Sequence, residues 1–214
     1  MPPTADIVRL YFSFRSPYSW LAFLRIGRAL EGLPVALQYV PVFPPPNYPN
    51  DPTAVPNKLK YIAHDVARVA SAYGFGFKMP EKMDCEWVRP HAAFLFALDQ
   101  GKAQQFGRGL FEARFVHGRD VGDDGVMAEV ASAHGLDAAA LVAAATDPAY
   151  QTRVVQGMID GVQEDSIFGV PYFVYRGERF WGNDRIDWLV RAIRKAHGMP
   201  VVDLSSDFLQ PLDR

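Results

Sequence analysis

Tyr11-Phe12-Ser13-Phe14-Arg15-Ser16-Pro17-Tyr18-Ser19-Trp20 is the stretch that decides how this chain begins to fold. An extended apolar run stops at a Ser-Pro, and an apolar pattern with helical spacing follows at once. Pro in the first helical turn forfeits no backbone hydrogen bond. A Ser just before it stands at the N-cap, where free N–H groups and the positive helix end favour an anion. The segment reads as a strand that delivers a hydroxyl to the start of a helix, and Ser16 is the candidate working residue.

Outward from this stretch, Ile7 to Phe14 has the β-branched and aromatic content of a buried strand. Trp20 to Leu30 sets Leu21, Leu24, Ile26 and Leu30 on a helical pattern, and Val35 to Val42 reads as a second strand. A β-α-β unit of this length predicts parallel strands joined by a right-handed crossover. The loop from Pro41 to Pro56 also holds Pro44, Pro45, Pro46, Pro49 and Pro52, which exclude regular helix and suit it to lining a cleft.

From Asn57 to roughly Pro171 the pattern is overwhelmingly helical, with segments near Lys58 to Tyr73, Pro90 to Gln100, Lys102 to Val116, Gly125 to His134, Ala138 to Ala145 and Pro148 to Gln163. Phe168-Gly169-Val170-Pro171-Tyr172-Phe173-Val174-Tyr175 then contains a Val-Pro that opens a β-like run. Pro is permitted as the first residue of a strand, and an X-Pro bond in a tight turn is compatible with cis. Tyr172 to Arg176 and Glu178 to Trp181 flank Gly177 as a hairpin, and Arg185 to His197 reads as a closing helix. The tail after Gly198, with Pro200 and Pro211, is expected to be irregular and free to wrap a neighbour.

Composition bounds the function. A net charge of −2, from 22 basic and 24 acidic residues with no long like-charged run, gives no electrostatic reason to expect nucleic acid or anionic membrane. A small molecule is the default partner. Met1 to Asp6 lack a basic region followed by an apolar one, and no window approaches a membrane span, so a cytoplasmic protein is expected. Cys85 is the one cysteine, which rules out an intrachain disulfide and a two-cysteine redox cycle. The five histidines show no metal-ligand spacing, and no metal is expected.

The order β-α-β, helical insert, β-β-α resembles a thioredoxin fold, with Ser16-Pro17-Tyr18-Ser19 where the redox branches carry Cys-x-x-Cys. Phe180-Trp181-Gly182-Asn183-Asp184-Arg185 resembles the signature of 2-hydroxychromene-2-carboxylate isomerases, relatives of the kappa-class glutathione transferases in a DsbA-like superfamily. The fold class implied is α/β, thioredoxin-like with a large all-helical insertion. Residues 1–56 and 168–214 would form the thioredoxin-like part and 57–167 the helical subdomain, bringing both chain ends to one site.

A Ser hydroxyl is a poor nucleophile without an adjacent base, and no Gly-x-Ser-x-Gly elbow supplies one. It is suited to donating a hydrogen bond to a thiolate, lowering that thiol's pKa as a helix N-terminus does. The resemblance implies that the thiol is glutathione's, making Ser16 catalytic as well as cofactor-binding. It implies further that Val170 and Pro171 pair with the peptide main chain. Gly182, Asn183 and Asp184 would receive the γ-glutamyl end. Taken alone, Asn183-Asp184 is an ordinary helix cap.

Lys58 matches a family lysine and would face a ligand carboxylate, while Asn47 and Tyr48, in the Pro-rich loop, would touch the substrate. The implied activity is glutathione-dependent isomerisation of a small aromatic carboxylate, a 2-hydroxychromene-2-carboxylate, by ring opening and cis/trans rotation through a transient adduct. The implied enzyme is a homodimer.

Two alternatives stand beside it, a kappa-class-like transferase or peroxidase and a non-catalytic peptide-binding module. Tyr172 and Arg15 depart from the family pattern, where a small Thr and an apolar residue are common. Asp65 and Arg68, at i,i+3, read as a structural ion pair. Phe94, Phe96, Phe106, Phe111 and Phe115 suit core packing for the most part, with a share in an aromatic pocket. Cys85, between Asp84 and Glu86, is not expected to be a nucleophile, because like charge disfavours its thiolate.

Overall fold

A computed structural model describes residues 6–44 and 55–201 of the chain. Strand β1 (Asp6–Phe12), helix α1 (Pro17–Ala29) and strand β2 (Val35–Pro41) form the expected β-α-β unit, with β1 and β2 parallel from Asp6↔Val35 to Phe12↔Pro41. Among the described residues six helices follow: α2 (Pro56–Ala72), α3 (Val88–Asp99), α4 (Ala103–Phe115), α5 (Asp124–Ala133), α6 (Ala138–Thr146) and α7 (Pro148–Gln163). The chain returns as β3 (Tyr172–Tyr175), β4 (Glu178–Trp181), a 3-10 turn (Asn183–Arg185) and α8 (Ile186–Ala196). The sheet order is β2-β1-β3-β4, and β3 runs antiparallel to both neighbours. This is a thioredoxin-like sheet with its helical insertion between β2 and β3.

Alternation along β1 sends its side chains to two cores. Val8, Leu10 and Phe12 are fully buried with Trp20, Leu21, Ile26, Leu189 and Ile193 on the α1 and α8 side. Tyr11 packs on the opposite face with Val42, Tyr172, Val174 and Met158 of α7. There α7 rides close to the sheet because residue 161 is Gly: a Cβ would lie 2.7 Å from the Tyr11 ring. Phe12 stands edge-on to Phe23 and Phe94, with ring centroids 4.7 and 4.9 Å apart, and Phe14 meets Phe111 at 4.7 Å. Phe94, Phe106, Phe111 and Phe115 are thus core residues that join α3 and α4 to the sheet. Tyr172 is equally committed to packing.

Strand β1 ends at Phe12 rather than Phe14, because Ser13 to Ser16 close on themselves. Ser13 N donates to Ser19 Oγ at 3.3 Å, Arg15 N to Ser13 Oγ at 3.3 Å and Ser16 N to Ser13 O at 3.0 Å. After α7, Asp165 is buried and accepts both Arg9 Nε (2.6 Å) and Arg9 Nη2 (2.7 Å), together with Tyr11 Oη–H (2.6 Å). The return from the helical region is therefore clamped to β1. Among the described residues no helix is long and apolar enough to cross a membrane.

Candidate functional site

Ser16 is the N-cap of α1, with Pro17 in the first turn and the Ser16 Oγ accepting from Ser19 N at 3.2 Å. The same hydroxyl donates its proton, in a long bond of 3.4 Å, to the carbonyl oxygen of Val170. The Val170-Pro171 bond is cis. Two segments 154 residues apart in the chain thus meet at one half-buried hydroxyl. The first amides of α1 have no intrahelical acceptor behind them, so positive potential collects beside that hydroxyl.

The end of β4 closes the same rim. Gly182 N donates to Pro171 O at 2.9 Å, which ties the Asn183 turn to the Val-Pro turn. Gly182 has φ +113°, and a Cβ there would fall 2.5 Å from Asp184 Oδ1. Asn183 does not cap α8 through its side chain; its Oδ1 is buried without a hydrogen-bond partner among the described residues. From below, Arg25 donates to the Asn183 carbonyl oxygen (3.2 Å) and pairs with Asp187 (2.9 Å). Asp184 is exposed, beside Arg185 at 3.4 Å, and its charge reaches Tyr18.

Helix α2 flanks the start of α1. The Tyr18 hydroxyl donates to Asp65 at 2.8 Å, and burial first, then Asp65, pushes this phenol's pKa up. Asp65 also pairs with Arg68 at 2.8 Å, the expected i,i+3 ion pair. Lys58 lies seven residues before Asp65, which returns it to the same helix face about 10 Å away. It is exposed. Asn47 and Tyr48 fall outside the described residues. A groove of about 670 Å³ opens between the end of β2 and the starts of α3 and α7, with Phe43, Trp87, Val88 and Val155 on its walls.

Arg25 holds the Asn183 carbonyl from below, and neither it nor His91 is singled out as a site residue by the sequence. A lone charge between Leu24 and Ile26 is the signal for Arg25. His91 sits on the buried side of α3, and its spacing in the sequence speaks only against a metal ligand. Cys85 is disfavoured as a nucleophile for a different main reason than expected: burial, more than the neighbouring acids, pushes its thiol up to about 12.

Residues 7–194 match the family description "DSBA-like thioredoxin domain". The chain is 30% identical over 190 residues to a 2-hydroxychromene-2-carboxylate isomerase of Sphingobium xenophagum, covering 85% of this chain and 95% of that one. A solved 2-hydroxychromene-2-carboxylate isomerase superposes with a TM-score of 0.74 at 24% identity, over 90% of this chain and 98% of the other. The cytosolic disulfide reductase DsbM of Pseudomonas aeruginosa, solved with GSH, gives 0.64 at 16% identity, over 88% and 99%, a likeness of fold. A hydroxyl on the first turn of α1, a cis-proline turn opposite it and a helical insertion inside a four-stranded sheet agree with that match along nearly the whole chain, which belongs to the DSBA-like thioredoxin family.

Proposed function

We propose that this protein is a glutathione-dependent isomerase of 2-hydroxychromene-2-carboxylate-type aromatic compounds, with Ser16 as its catalytic residue. The observation that carries the reading is the Ser16 hydroxyl, held by Ser19 N and aimed at Val170 O, in a chain whose one cysteine is half-buried with its thiol pKa pushed up to about 12. Sulfur chemistry at this position has to come from a ligand. The residues present fit glutathione: the Asn183 amide oxygen, buried without a partner among the described residues, suits an ammonium group, and the α1 N-terminus suits a thiolate. Val170, Pro171 and Gly182 would hold its peptide groups, and Lys58 and Asp184 its charged ends.

Ser16 would turn its proton from the long, weak bond at Val170 O onto the sulfur, stabilising the thiolate form. When bound, glutathione supplies a nucleophile that adds to the conjugated double bond and later leaves, so rotation occurs about a bond that is temporarily single. No net oxidation is involved, and no second cysteine is needed. Asn47 and Tyr48 would border the aromatic carboxylate. A cytoplasmic homodimer, with residues 57–167 as a helical subdomain, belongs to the same proposal; the dimer rests on the family resemblance and the subdomain on the helical pattern of the sequence.

The test is to follow 2-hydroxychromene-2-carboxylate by ultraviolet absorbance with and without glutathione. Conversion to the open-chain isomer that requires both glutathione and Ser16 is expected. A stable glutathione adduct as end product would instead identify a transferase.

A further inference from the structure

We infer that His91 is a positioning residue for Ser16, through which helix α3 of the insertion holds the segment that carries the hydroxyl; its catalytic consequence rests on the function proposed above. Of the four amides between β1 and α1, those of Ser13, Arg15 and Ser16 are satisfied by residues within or next to the segment. The fourth, Phe14 N–H, donates to His91 Nε2 at 3.1 Å, across 77 residues of sequence. A buried amide without a partner is costly, so this bond locks the segment two residues before Ser16 to α3. The ring's other nitrogen, Nδ1, donates to the Trp87 carbonyl one turn earlier in the chain, and this defines the tautomer that leaves Nε2 as an acceptor.

His91 is fully buried among Phe12, Phe14 and Phe43, at ring-centroid distances of 6.2, 5.2 and 6.3 Å. This environment holds the imidazole neutral, with its pKa pushed down to about 4 by burial, so Nε2 stays unprotonated near neutral pH. A second tether runs beside it: Arg15 Nε meets Asp84 at 3.2 Å, and the same carboxylate accepts Trp87 Nε1–H at 3.0 Å. The two residues preceding Ser16 are therefore both held from the segment that opens α3.

In the wild-type protein, ring-nitrogen NMR should show His91 protonated at Nδ1 and accepting at Nε2; the opposite tautomer overturns the inference. His91→Phe keeps the ring volume and removes the acceptor, while His91→Gln can restore one. Amide exchange at Phe14 to Ser16 should become at least tenfold faster in His91→Phe, with the α3 amides of Phe94 and Leu95 unchanged, and His91→Gln should recover part of the loss. With glutathione bound, the thiol pKa should move towards its value in free solution in His91→Phe. Unchanged exchange at Phe14 to Ser16, or an unchanged thiol pKa in a variant that still binds glutathione, overturns the inference. Faster local exchange in a protein whose wild type binds no glutathione leaves the positioning of Ser16 standing and removes the proposed cofactor.

Discussion

Asp165→Asn tests the clamp that brings the Val170-Pro171 turn to Ser16. The Asp165 carboxylate is 7% exposed and takes a two-pronged bond from Arg9, whose side chain is 36% exposed, as well as the Tyr11 hydroxyl. Hydrogen bonds to charged groups contribute roughly 1.5–3 kcal/mol net, and the part-exposed Arg9 is screened by water. An Asn presents one acceptor and turns an N–H towards the cation. The expected loss is about 2–3 kcal/mol, which for a chain of this size lowers the melting temperature by roughly 4–12 °C.

The pH dependence has a definite sign. Burial raises the Asp165 pKa, but the bonds from Arg9 and Tyr11 outweigh it and hold the carboxyl below its ordinary range. A depressed folded pKa contributes stability above the unfolded value of about 3.9 and loses it as pH falls through the folded one. The gap between wild type and Asp165→Asn should be full at pH 7 and close below about pH 4, read by urea denaturation at each pH. A gap under about 0.5 kcal/mol at pH 7, or one that persists unchanged at the acid end, would refute the reasoning.

Gly182→Ala forces a side chain onto φ +113° and against Asp184, so about 1–3 kcal/mol of strain should appear in denaturation and glutathione affinity should fall with it. Asn183→Ala removes an oxygen that bonds nothing among the described residues, so the melting temperature should move by only a few degrees while the dissociation constant for glutathione, measured by calorimetry, rises about tenfold. Lys58→Met should weaken glutathione binding about fivefold and flatten its dependence on salt, since an exposed cation contributes on the order of 1 kcal/mol. Cys85, half-buried and with its thiol pushed up to about 12, should react with a thiol reagent at pH 8 much more slowly in the native protein than after denaturation; equal rates would contradict that raised pKa.

What the sequence made legible was local chemistry. Ser16-Pro17 announced a helix start that needs only its neighbours, and Val170-Pro171 a turn set by proline geometry. The helices of the insertion begin and end within about two residues of their periodic patterns, because burial of one face governs them. The interactions that assemble the site were not legible, because each pairs residues far apart: Arg25 with Asn183, Asp165 with Arg9 and His91 with Phe14. Sequence proximity misled at Asn183-Asp184, where the turn is 3-10 and the side chain caps nothing. It misled in part at Cys85, where depth outweighs the flanking acids.

The most direct test of the central claim is the binding of reduced glutathione to wild type and Ser16→Ala, with the thiol pKa of the bound tripeptide followed by ultraviolet absorbance. The account predicts a bound thiol pKa well below that of free glutathione in the wild type, restored towards the free value in Ser16→Ala. No binding to the wild type at millimolar glutathione, or an equally low thiol pKa without the Ser16 hydroxyl, would contradict it.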